Sequence, residues 1–212
     1  MKLKITSALI VLFIILGCAS VKDYIEPEER VLVTALVIEN EDEKIKLSAE
    51  VNVPDKQGGS QIKVYTSYGK DIKTALDELE KASYGKLLLG QCPVILLSKD
   101  LPKSKLKNIF YTLFQNNEIS LSVKFAIFEE EQTLLSEETK NPAGYEIENL
   151  LNNIERAENK TLGESFAQII DKSQKKGETF TLPLIEKENS RFALSGFCRF
   201  KNFSLIRKED LL

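Results

Sequence analysis

Three cysteines, no histidine and 32 acidic residues set the chemistry open to this 212-residue chain. Without histidine there is no Ser-His-Asp or Cys-His relay, and the usual nitrogen ligand of zinc is missing. The sequence carries no GxxxxGK[ST] loop, no GxGxxG turn and no paired-cysteine metal spacing. Carboxylates come in runs: Glu41-Asp42-Glu43, Glu129-Glu130-Glu131 and Glu137-Glu138. Two of them could divide acid and base roles in a hydrolase. Each run flanks an apolar segment, as solvated turns and helix starts do, and no pair stands above the rest. The residues nominate no catalytic centre, no metal and no cofactor.

Cys18 stands apart from the other two cysteines. Lys2 and Lys4 precede an apolar run from Ala8 to Leu16, and Gly17 lies directly before Cys18. That order is the build of a secretory leader, and the run falls short of the ~20 apolar residues that span a bilayer. Ile15-Leu16-Gly17-Cys18 resembles a lipobox, in which the cysteine receives diacylglycerol and becomes the mature N-terminus. An uncleaved signal anchor with an incidental cysteine is the alternative. The lipobox reading predicts a cleaved leader over residues 1–17, lipidation of Cys18 and a lipidated tether over residues 18–29. It places the protein on the extracytoplasmic face of a membrane. Cys92 and Cys198 lie in apolar, strand-like runs. They are read as buried free thiols in preference to a disulfide, whose close Cα approach the sequence does not reveal.

The elements that would carry these residues follow two periods. Basic and acidic residues are nearly balanced at 29 and 32 and interspersed, which is an ordinary solvated exterior and not a nucleic-acid surface. Arg30 to Ile38 is almost continuously apolar, like a strand covered on both faces. Ile45, Leu47, Ala49, Val51 and Val53 then alternate with Lys44, Lys46, Ser48, Glu50 and Asn52, the pattern of a half-buried strand. Ile62, Val64, Thr66 and Tyr68 mark a third. After Gly69 the period changes: Ile72, Ala75, Leu76, Leu79 and Ala82 form a helical stripe that Asp71 is placed to cap. Val94 to Leu97 reads as a buried strand. Leu106, Ile109, Phe110, Leu113 and Phe114 form a second stripe, and Leu121 to Phe128 another strand. Pro142 breaks the chain before Ile147, Leu150, Leu151 and Ile154 share a helix face. Thr161-Leu162-Gly163-Glu164 has the form of a capping box. Phe180 to Ile185 and Arg191 to Phe200 would close the fold as a hairpin. The expected class is α/β (α+β mixed), a mixed β-sheet with helices packed on it.

Four stretches in order resemble the Ger(x)C family, the lipoprotein C subunit of bacterial spore germinant receptors. They are the leader with Cys18; Asp23-Tyr24-Ile25-Glu26-Pro27-Glu28-Glu29-Arg30 running into Val31 to Glu39; Tyr68-Gly69-Lys70-Asp71-Ile72 with Gly90-Gln91-Cys92-Pro93-Val94-Ile95; and Leu182-Pro183 with Gly196-Phe197-Cys198-Arg199-Phe200-Lys201. Gln91 stands where the family usually carries histidine. Family members continue beyond the last segment. The resemblance therefore divides the chain into a domain over residues 30–200 and, over residues 201–212, the start of a missing C-terminal region. Phe203, Leu205, Ile206, Leu211 and Leu212 are accordingly expected to be poorly packed or exposed.

The resemblance implies a non-catalytic, membrane-anchored subunit of a nutrient germinant receptor. Its partners would be integral-membrane subunits, a sensor and a transporter-like protein, and its place the spore inner membrane. Two other classes stay open on the residues alone. One is an extracytoplasmic solute-binding lipoprotein, for which the chain is short. The other is a secreted carboxylate-dependent hydrolase, which the lack of histidine and motifs disfavours.

Overall fold

The computed structural model describes residues 30–54, 59–129, 134–137, 141–159, 161–188 and 191–210. Three strands come first: β1 (Arg30–Glu41), β2 (Lys44–Pro54) and β3 (Ser60–Gly69). Helix α1 (Ile72–Ser83) leads to the short β4 (Lys86–Leu88), a 3-10 turn over Leu89–Gln91, and β5 (Val94–Ser98). α2 (Lys103–Gln115), β6 (Lys124–Phe128), α3 (Ala143–Glu158) and α4 (Phe166–Gln174) follow. β7 (Phe180–Glu188), β8 (Arg191–Lys201) and β9 (Ser204–Asp210) complete the described fold.

One mixed sheet runs in the order β3-β2-β1-β5-β6-β7-β8-β9, with β4 also on β1. Its centre is parallel (β1, β5, β6 and β7), because helical crossovers join those strands. Both edges are antiparallel hairpins. The mixed α/β expectation is met.

Helices cover both faces. α1, α2 and α4 bury Ile72, Leu79, Phe110 and Phe166 against Val33, Leu36, Leu47 and Ile95. α3 covers the other face, packing Ile147 and Leu151 on Ala35, Val37, Leu96 and Ala126. β1 is thus buried from both sides, as its unbroken apolar run predicts. A bulge between Val33 and Ala35 shifts its register and sets Thr34 aside in the core.

Several expectations change. The polar side of β2 is only partly open to water: Ser48 and Glu50 are buried, and the start of α3 lies over Glu50. The apolar set of β3 faces the same side as Glu50, since Val64 pairs with Glu50 and Thr66 with Ser48. Its α1 face carries Tyr65, Ser67 and Gly69 opposite Ala49, Leu47 and Ile45. β6 begins at Lys124, leaving Leu121 in the preceding loop and 52% exposed. Phe114 ends the α2 stripe only half covered, edge-on to Phe166 at 5.9 Å.

The helix cap also moves. Ser165 and Gln168, not Thr161 and Glu164, form the capping box of α4. Glu164 turns instead to Lys172, at 2.6 Å, and to the Thr181 N–H. Beyond residue 200 the outcome divides. Leu205 and Ile206 are exposed on edge strand β9, as expected, while Leu211 and Leu212 lie outside the described residues. Phe203 contradicts the expectation. The tight β8–β9 turn folds it back onto Phe110, with ring centroids 5.4 Å apart, and it is buried.

Candidate functional site

Cys18, the leader and the tether lie outside the described residues. Cys92 and Cys198 are both free and buried, as favoured above. The Cys92 thiol donates to the Val94 carbonyl at 3.2 Å. Burial pushes its pKa up to about 12, and burial also raises Cys198. Neither is a thiolate nucleophile at neutral pH.

The carboxylate runs do structural work where they are described. Asp42 and Glu43 take left-handed φ values of 48° and 64° in the β1–β2 turn. Glu129 lies between Lys99 at 2.5 Å and Lys208 at 2.9 Å. Their hydrogen bonds hold its carboxyl below the usual range. Glu137 accepts from the Val64 N–H at 3.0 Å; Glu130, Glu131 and Glu138 fall outside the described residues. Among the described residues, no group of three or more histidine, cysteine, aspartate or glutamate side chains could hold a metal ion.

The Tyr68–Ile72 segment forms the corner between β3 and α1. Asp71 caps the helix: its carboxylate accepts from the N–H and hydroxyl of Thr74, both at 2.8 Å. Those bonds lower its pKa, the backbone one most. Gly69 makes the corner possible, since a Cβ there would stand 2.4 Å from the Ala75 nitrogen.

Gln91 ends the 3-10 turn and lines a groove of roughly 400 Å³ with Arg30, Lys86, Gly90 and Glu118. An adjoining hollow of roughly 390 Å³ shares Lys86, Leu87, Leu89 and Glu118 with it. Lys86 and Glu118 pair at 2.5 Å between the two. The groove lies at one end of the sheet, beside the first residue of β1, since Arg30 is in register with Lys86. Its polar groups can bind and orient, and its one carboxylate, Glu118, is held in the ion pair with Lys86.

Sequence reasoning missed Glu50. It is fully buried, and its carboxylate accepts from Thr34 Oγ1 at 2.7 Å, the Ala143 N–H at 2.9 Å and the Gly144 N–H at 3.3 Å. The helix α3 has Pro142 at its N-cap and no side-chain cap of its own, so Glu50 supplies one from strand β2. A negative charge at a helix N-terminus is doubly favoured, by the free N–H groups and by the helix dipole. Gly144 allows the approach: a Cβ there would lie 1.7 Å from the Thr34 carbonyl oxygen. The signals available were a glutamate between Ala49 and Val51 and a helix start without a serine, threonine or aspartate.

A smaller cavity, roughly 160 Å³, lies between α3 and the start of α4 and includes Lys124, Glu155 and Glu164. Glu155 accepts from Lys124 at 2.8 Å and from the Leu162 N–H at 3.0 Å. Burial pushes its pKa up, but those partners outweigh it and the net shift is downward. The Lys124–Glu155 ion pair forms part of the cavity wall.

No helix among the described residues is long and apolar enough to cross a membrane. No curated protein and no solved structure matches the chain. The family model described as spore germination protein N-terminal domain matches residues 23–187. That span runs from before β1 almost to the end of β7, and includes the Gly69–Asp71 corner, the Gln91 groove and the Glu50 cap. With most of its length under that model, the chain belongs to the spore germination protein N-terminal domain family, a Ger(x)C protein as its motifs suggest.

Proposed function

We propose that the chain is a non-catalytic, membrane-anchored lipoprotein subunit of a nutrient germinant receptor. Membership in a spore germination family over residues 23–187 carries this reading. The Gly17-Cys18 leader supports the anchor, and lipid on Cys18 would hold the domain at the extracytoplasmic face of the spore inner membrane. The domain acts by contact. Its buried thiols and paired carboxylates suit a rigid docking body, and its partners are the integral-membrane sensor and transporter-like subunits.

Two experiments test the parts separately. Metabolic labelling with a fatty-acid analogue should mark the wild type and leave Cys18→Ala unmarked; equal labelling removes the anchor. Purification of the tagged chain from detergent-solubilised spore membranes should recover polytopic receptor subunits, and null spores should lose the response to a nutrient. Null spores that germinate normally with every nutrient, together with recovery of no membrane partner, would refute the receptor role.

A further inference from the structure

We propose that the end of the domain where the tether joins β1 rests on the phospholipid bilayer, with Tyr84 and Leu121 entering the headgroup layer. The proposal rests on the Cys18 anchor proposed above.

The topology brings scattered residues to this end. β4 runs parallel to β1 with Lys86 opposite Arg30, so Tyr84, two residues earlier, stands at or beyond the first residue of the sheet. The Lys86–Glu118 pair draws in the loop that follows α2. That loop carries Leu121, and Phe114 lies in the last turn of α2. Tyr84 is 91% exposed and Leu121 52%. The opposite end presents Asp42, Glu43, Lys99, Asp100 and Glu129, whereas the Arg30 end adds Tyr84 and Leu121 to Arg30, Lys86 and Glu118. Among the described residues, Tyr68 is a large side chain exposed toward that end, beside its strand partner Lys46.

Tyr84 is costly where it stands. It takes the left-handed conformation, φ 55° and ψ 29°, at the C-cap of α1. A residue with a Cβ pays about 1–2 kcal/mol there, and glycine avoids that cost. Gly85 follows immediately, yet the tyrosine holds the cap. Packing within the domain does not repay the strain, because the ring touches little of it. Strain of this kind at an exposed aromatic points to a contact made elsewhere.

The chain outside the structure says which contact. From Cys18 to Glu29 the tether, fully extended at ~3.3–3.6 Å per residue, reaches about 40 Å and no more. The acyl chains on Cys18 therefore hold Arg30 within about 40 Å of the bilayer, near enough for this end to rest on it. A tyrosine ring with its hydroxyl suits the water–lipid boundary, and the exposed Arg30 faces anionic headgroups favourably.

The chain has no tryptophan, so single Tyr84→Trp, Leu121→Trp and Glu43→Trp variants each report one place. The full lipidated chain is reconstituted in vesicles of phosphatidylcholine and phosphatidylglycerol, with or without lipids brominated near the headgroup. Tryptophans at 84 and 121 should be quenched about twofold, as for side chains lying ~5–10 Å into the boundary, and that at 43 should not. Retention of the wild type, against its loss in Cys18→Ala, reads the anchor independently. Full retention with all three positions equally unquenched overturns the orientation and leaves the anchor standing. Failure of the wild type to be retained overturns both. No quenching at 84 and 121 in plain vesicles, with their tryptophan emission shifting to the blue only when receptor membrane subunits share the vesicle, assigns this end to a protein partner and also overturns the proposal.

Discussion

Replacing Glu50 with alanine should detach the start of α3 from the sheet. The carboxylate accepts three hydrogen bonds, from Thr34 Oγ1 and the N–H groups of Ala143 and Gly144, at 2.7, 2.9 and 3.3 Å. Alanine leaves those donors buried without an acceptor, each costing about 1–3 kcal/mol. Thr34 recovers part of its share, because its hydroxyl also reaches the Glu50 carbonyl oxygen at 3.1 Å. Water entering the vacated space recovers more, so the net loss should be about 3–5 kcal/mol, toward the low end of the roughly 3–9 kcal/mol for three donors left unpaired. With a urea slope of about 2 kcal/mol/M, the unfolding midpoint should fall by about 2 M. Glu50→Gln keeps the shape and one acceptor oxygen but turns an amide NH₂ toward a donor, and should lose about 1–3 kcal/mol. Urea unfolding of the full chain followed by circular dichroism measures all three proteins. Amide exchange at Ala143 and Gly144 should accelerate well before the rest of the sheet opens. If Glu50→Ala lies within about 1 kcal/mol of wild type at unchanged slope, the buried cap contributes nothing net and the reasoning fails.

Gly69→Ala should cost about 3 kcal/mol or more by urea unfolding, because its Cβ would stand 2.4 Å from the Ala75 nitrogen and 2.8 Å from the Asp71 carbonyl oxygen, both backbone atoms. An unchanged midpoint would mean the β3–α1 corner can open freely. Asp71→Ala should cost about 1 kcal/mol through loss of the α1 cap. The cap lowers the folded pKa of Asp71, so its contribution is present above the ordinary value of 3.8 and disappears as the pH falls below it. Acid titration of stability in wild type and variant should therefore converge at low pH. Cys92 should resist maleimide in the native chain and react once unfolded. Its folded pKa is raised, so the unfolded chain loses that proton first, and the stability this thiol contributes is lost between pH 9.0 and about 12. Rapid labelling of native Cys92 at neutral pH would show its site to be open.

Much of this protein was written locally. A strand buried on both faces needs an unbroken apolar run, and Val31 to Ile38 has one; a helix needs a stripe and a cap, and Asp71 with Ile72, Ala75, Leu76 and Leu79 supplies both. The absence of histidine closed several chemistries before any fold was known, because chemistry depends on residue type first. The basic, apolar and Gly17-Cys18 pattern on which the proposed anchor rests is likewise a matter of order along the chain.

Other features depended on neighbours distant in sequence. Glu50 has the same alternating context as Lys46 and Asn52, and becomes a buried cap only because α3, 93 residues later, starts above it. β3 shows which of its faces meets α1 only in its register with β2. Thr161 to Glu164 and Ser165 to Gln168 offer competing helix starts, and Lys172 with the Thr181 N–H takes Glu164 out of the contest. Phe203 looked like an orphan near the chain end and found Phe110 across a turn. Periodicity reports which side chains share a face; only the assembled layers determine whether that face meets water, a helix end or another ring.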